Sequence, residues 1–104
     1  MYTTTMATVP GESIERTLGV AKGNTVRARN VGRDITQQLR NLFGGELKSY
    51  SNLMSEARDE SLERMKVQAI EMDADAVVNV RFDTSAVARS SAEMLAYGTA
   101  VRLE

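Results

Sequence analysis

Three groups of side chains in this sequence have types and spacing that could do chemistry. The first is Arg27, Arg29, Asn30, Gly32, Arg33 and Asp34, three guanidinium groups and a glycine where a strand gives way to a helix. Free backbone N–H groups at a helix start, beside cations, can hold a phosphate or a carboxylate, and Gly32 would let a ligand approach the backbone. The second is Glu71, Asp73 and Asp75, three carboxylates close in sequence that could hold a hard cation. Their spacing matches no calcium loop. The third is Met54, Met65, Met72 and Met94, with Met6 as a further candidate, whose thioethers could bind copper(I).

Each group has a plainer reading. The arginines can pair with acidic residues, within the chain or across a subunit interface, while Asp34 caps the helix. The carboxylates can be a solvated helix end. Methionine at helical spacing is more often pliable core filling.

The chain has no Cys and no His. Disulfides, thiol nucleophiles, zinc fingers and imidazole-ligated iron or copper are therefore excluded within one chain. So is a Ser-His-Asp triad. Acid–base catalysis would need a carboxylate or lysine with a shifted pKa. No catalysis is expected, and the residues leave the identity of any cofactor open.

Thirteen basic and fourteen acidic residues give a net charge of −1. The charge is uneven, however. Residues 22–45 carry Lys22, Arg27, Arg29, Arg33 and Arg40 against Asp34 alone, while residues 46–75 carry eight acids and four bases. Ten of the thirteen bases are arginine, which suits bidentate pairing. A near-neutral chain without aromatics in its basic stretch favours pairing over a nucleic-acid site, so nucleic acid is not an expected partner. A small anionic ligand remains an expectation for the Arg27–Asp34 segment.

The elements that must position these groups can be read from periodicity. Residues 2–8 read as a strand closed by Pro10-Gly11. A second strand runs from Ile14 to Arg29, with Leu18, Val20 and Val26 on a large face and Gly19, Ala21 and Gly23 on a small one. Gly19 and Gly23 suggest a bend, a bulge or close approach by another backbone. Ile35, Leu39 and Leu42 predict a short helix over Arg33–Phe43, stopped by Gly44-Gly45. A long helix runs from about Glu46 or Leu47 to Met72, and its small residues Ala57, Ser61 and Ala69 would let it sit close to a sheet.

A strand follows from Ala76 to Asp83, with Val78, Val80 and Phe82 on one side and Val77, Asn79 and Arg81 on the other. A polar loop is expected over Thr84–Ser91. The last strand, Ala92–Leu103, presents Leu95, Tyr97, Val101 and Leu103 on one face and Met94, Ala96, Gly98 and Ala100 on the other. The order ββααββ predicts an α+β domain spanning residues 1–104. It is an antiparallel sheet with one short and one long helix on one face. The other face, with Leu18, Val20, Leu95 and Tyr97 as candidates, would be an exposed apolar patch unless a second subunit covers it. No apolar run approaches the roughly 20 residues of a membrane span. The start of the chain lacks a signal-peptide pattern, so a cytoplasmic location and no membrane partner are expected.

Many segments, taken in order, resemble the YbjQ family of small bacterial and archaeal proteins. They include Thr3-Thr4, Pro10-Gly11, Leu18-Gly19-Val20, Val26-Arg27-Ala28-Arg29-Asn30, Gly32-Arg33-Asp34-Ile35, Leu39-Arg40-Asn41 and Gly44-Gly45-Glu46. They continue with Glu56-Ala57-Arg58, Arg64-Met65, Ala74-Asp75-Ala76-Val77-Val78, Arg81-Phe82-Asp83-Thr84-Ser85 and Ala96-Tyr97-Gly98-Thr99-Ala100-Val101. The resemblance covers residues 3–103. It implies a dodecin-like α+β subunit in a ring-shaped homopentamer. It implies no established activity, and it carries a label of heavy-metal binding that sits poorly with a chain lacking thiolate and imidazole. The function expected is a self-assembling scaffold or small-ligand binder. The alternatives are a metal-ion binding protein and an enzyme whose Arg and carboxylate groups meet between subunits.

Overall fold

The computed structural model describes residues 1–27, 46–88 and 91–104, and the side chains of 1–25, 54–85 and 93–104. The predicted helix over Arg33–Phe43 lies outside the described residues. Among the described residues there are four strands and one helix: β1 (Tyr2–Thr3), β2 (Ile14–Arg27), α1 (Glu46–Glu71), β3 (Ala76–Ala88) and β4 (Ser91–Leu103). The class is α+β, as expected.

The sheet is mixed rather than antiparallel. Its order is β1-β3-β4-β2, with β1 parallel to β3 and the other two pairings antiparallel. Only two residues of the predicted first strand are regular. The backbone continues beside β3, where the N–H of Thr4 donates to Val77 O at 3.0 Å and that of Val80 to Thr4 O at 2.9 Å.

The expected loop over Thr84–Ser91 is a second correction. β3 runs on to Ala88 and β4 starts at Ser91, with Thr84 opposite Met94 and Ser85 opposite Glu93. Hydroxyl side chains suggested a loop, but long cross-strand pairing overrides so weak a local preference.

Among the described residues the strand pairing shifts register at four places, and the bulges at two of them set which side chains face the helix. In β2 an extra residue lies between Thr17, opposite Val101, and Gly19, opposite Ala100, and Gly19 has φ 131°. Leu18 is thereby turned towards the helix, where it packs on the core of Ala21, Met65, Ala69, Val77, Val80, Ala96 and Ala100. In β3 the extra residue lies between Val78 and Arg81, at Asn79, whose φ is 54°. Val77 and Val80 therefore share the helix side, against the expected alternation.

α1 covers mainly β2 and β4. The predicted small face is what it needs. A Cβ on Gly23 would collide with Met65 N and Ser61 O of the helix backbone. Ala57, Ser61, Met65 and Ala69 recur every fourth residue and are all buried.

On the opposite face Val9, carried there by the chain after β1, packs on Ala76, Val78 and Val101, with Ile14 and Leu103 beside it. Part of the face expected to be open is therefore covered by the chain itself. Among the described residues no helix is long and apolar enough to cross a membrane.

Candidate functional site

The basic segment is only touched by the described residues. Arg27 ends β2, with its Cα opposite that of Ala92. Arg29, Asn30, Gly32, Arg33 and Asp34 lie outside the described residues.

Of the three carboxylates, Glu71 is the exposed last residue of α1, and Asp73 and Asp75 are accounted for by the way the helix ends. The N–H of Ala74 donates to Ala69 O at 3.0 Å and that of Asp73 to Ile70 O at 2.9 Å, with Asp73 at φ 66°. This is a Schellman closure with an aspartate at the position glycine usually takes. A short polar side chain is among the few that tolerate it. Asp73 Oδ2 and Asp73 O both accept from Arg102 Nη1 at 2.9 Å. Asp75 Oδ2 accepts the Leu103 N–H at 2.8 Å. Both aspartates therefore tie the helix end to β4.

The methionines divide in the same way. Met65 and Met94 are buried, and Met94 Sδ accepts a hydrogen bond from Thr84 Oγ1 at 3.3 Å. Met72 is half-buried against the core, and Met6 is exposed. Met54, on α1, is half-buried, and the buried methionines serve as packing in the core. Among the described residues there is no group of three acidic, His or Cys side chains that could hold a metal ion. The described donors thus do not fit a soft metal, whose preferred thiolate and imidazole ligands the chain lacks.

Two surface features were not singled out in the sequence. One is a shallow groove of about 180 Å³ where α1 leaves β3 uncovered, lined by Thr3, Thr4, Thr5, Leu62, Val80 and Phe82. The other is on the opposite face. There the register puts Tyr97 between Lys22 of β2 and Arg81 of β3. All three are exposed, and Tyr97 keeps 38% of its surface open. Arg81 Nη1 donates to Thr5 O at 3.1 Å and to Val80 O at 2.9 Å, which anchors one end of its fork. The next row is Asn24, Leu95 and Asp83. Asn24 Nδ2 donates to Glu93 Oε2 at 3.0 Å. The face expected to be apolar is thus largely polar beyond Val9, with Val20 and Tyr97 as its exposed apolar members. Lys22 and Tyr97 are 75 residues apart, so only the pairing register could have joined them.

Comparison with known proteins agrees on the family. The family model described as "Putative heavy-metal-binding" matches residues 1–104. A UPF0145 protein of Halobacterium salinarum is 61% identical over 99 residues, 95% of each chain. A UPF0145 protein of Hahella chejuensis is 54% identical over 104 residues, 100% of each chain. A crystal structure of a protein with unknown function from Pediococcus pentosaceus, assigned to the DUF74 family, shares the fold with a TM-score of 0.66. It is 16% identical, and the match covers 100% of this chain and 98% of that one. A whole-chain family match and relatives of this identity place the chain in the YbjQ family, whose curated members carry the UPF0145 name.

Proposed function

We propose that the chain is one subunit of a self-assembling homo-oligomer, a cytoplasmic scaffold or small-anion binder with no catalysis of its own. The observation that supports this most is its extended shape. The radius of gyration is 16.5 Å, against about 13 Å for a compact domain of this length. The accessible surface is 6725 Å², against roughly 5,800 Å² for a folded monomer of this mass.

Strand edges support the same reading. Among the described residues β2 pairs with no strand but β4, and the other edge of this 14-residue strand is capped in its middle by helix side chains, Gln68 Oε1 on the Lys22 N–H and Arg64 Nη1 on Asn24 O, with no strand beside the rest. β3 is bordered by the β1 segment only as far as Val80. Unpaired stretches of strand edge invite pairing with another chain. Two different edges on opposite sides of one sheet suit head-to-tail contacts, which close into a ring when the rotation permits. The expected homopentamer would be such a ring, and the Arg27–Asp34 segment would recur once per subunit within it.

Native mass spectrometry of untagged protein tests this. A closed oligomer, five subunits in the expected case, is the supporting result. A monomer at micromolar concentration overturns the reading.

A further inference from the structure

The row Lys22, Tyr97 and Arg81 lies on three adjacent strands of one face, with the aromatic ring in the middle. Neighbouring strands run about 4.8 Å apart, so the two cationic residues start about 10 Å from each other. Both side chains are long enough to reach a common anion beside the ring. Arg81 is already anchored through Nη1 by the carbonyls of Thr5 and Val80. A guanidinium has five N–H donors, so three remain after Nη1 has used its two.

On one side the row is extended by Val20, which is 65% exposed. On the other side it ends in Asp83 and in Glu93, which is bonded to Asn24. The site therefore has two cations, one stacking ring, a small apolar shoulder and an acidic boundary.

We propose that this row binds a single nucleotide, with its phosphate between Lys22 and Arg81 and its base against Tyr97 and Val20. A phosphate dianion matches two flanking cations, and the arginine fork favours phosphate oxygens. A base stacks on an aromatic face whatever its identity. The acidic boundary argues for one nucleotide rather than a strand. A polynucleotide continuing past Leu95 would bring its next phosphate towards Asp83 and Glu93, and the chain as a whole carries a net charge of −1. The site needs no second subunit, so it stands apart from the assembly reading.

The test uses the protein as purified, with its subunit count measured in the same sample, at low salt. Adenosine 5′-monophosphate, adenosine and inorganic phosphate are titrated in turn by calorimetry and by NMR of the aromatic rings. With three tyrosines and two phenylalanines the ring signals can be assigned. The monophosphate should bind, shift the Tyr97 ring signals and exceed both adenosine and phosphate by about 10-fold or more. Tyr97→Leu should weaken it by about 10-fold, in line with the loss of one stacked base. Lys22→Gln should weaken both the monophosphate and phosphate, with melting unchanged. A monophosphate that binds no better than phosphate, or leaves the Tyr97 signals in place, overturns the proposal. So does a single-stranded oligonucleotide that binds progressively more tightly with length.

Discussion

The hydroxyl oxygens of Ser61 and Thr25 lie 3.2 Å apart, buried between α1 and β2. Ser61 Oγ also has Ala57 O at 2.8 Å and Met94 O at 2.9 Å as acceptors. With one proton it serves one acceptor at a time, and the Thr25 hydroxyl can donate in return. Ser61→Ala should cost about 1–3 kcal/mol by leaving Thr25 without a partner. Adding Thr25→Val should cost less than two independent losses, because the second change removes the orphaned hydroxyl. Strict additivity in urea unfolding would show that the hydroxyls do not interact.

Two glycines should respond to alanine for opposite reasons. At Gly23 the new Cβ meets helix backbone, which cannot move aside as a side chain can. A loss beyond the about 1–3 kcal/mol of ordinary overpacking is expected, with α1 displaced. At Gly11 nothing lies within 4 Å, but φ is 77°. The cost there is conformational, about 1–2 kcal/mol. Equal melting shifts for the two variants would contradict this division.

Asp73 and Asp75 should behave as structural anchors and not as metal ligands. Asp75→Ala removes the acceptor of the Leu103 N–H and should cost about 1 kcal/mol. Asp73→Asn keeps a residue that tolerates positive φ and loses only an exposed ion pair, so it should stay within about 1 kcal/mol of the parent. Calcium, zinc and a chelator should each leave the melting temperature unchanged. A metal-dependent rise that Asp75→Ala abolishes would restore the carboxylate group as a metal site.

If subunits join through strand edges, the outer face is free to change. Val20→Lys adds a charge to the exposed middle of that face. The subunit count in native mass spectrometry should not change. Dissociation of the variant would put the outer face, rather than the edges, in the interface.

Much of the fold was legible because the helical and strand periods are clean. The stripe from Ala57 to Ala69 and the small residues of β4 announced the close helix–sheet contact. Gly19 and Gly23 announced a bulge and a near approach, without saying which was which. What stayed hidden depends on register. Leu18 looks like a member of the face that holds Val20 until the bulge turns it over. Thr84 and Ser85 look like loop residues until they are seen opposite Met94 and Glu93. The parallel pairing of β1 is set by contacts 74 residues away at Ala76 and Val77. For the same reason two of the chemistry-bearing residues easiest to see, Asp73 and Asp75 of the carboxylate cluster, proved to be fold anchors. The row through Tyr97 has no local signature.

The extra residue at Asn79 has a consequence for how this gene can vary. Upstream of it odd-numbered residues of β3 face the helix, and downstream even-numbered ones do. Deleting that one codon would take out the bulge itself. Val78, Val80 and Arg81 would then lie opposite Thr99, Gly98 and Tyr97 in plain alternation, with Val80 still on the helix side and Arg81 still outside. A codon lost in the regularly paired stretch, at Asp83, would instead turn Thr84 and Ser85 over. Length in this segment should therefore be free to shrink by one residue at Asn79 and not in the paired stretch beyond it.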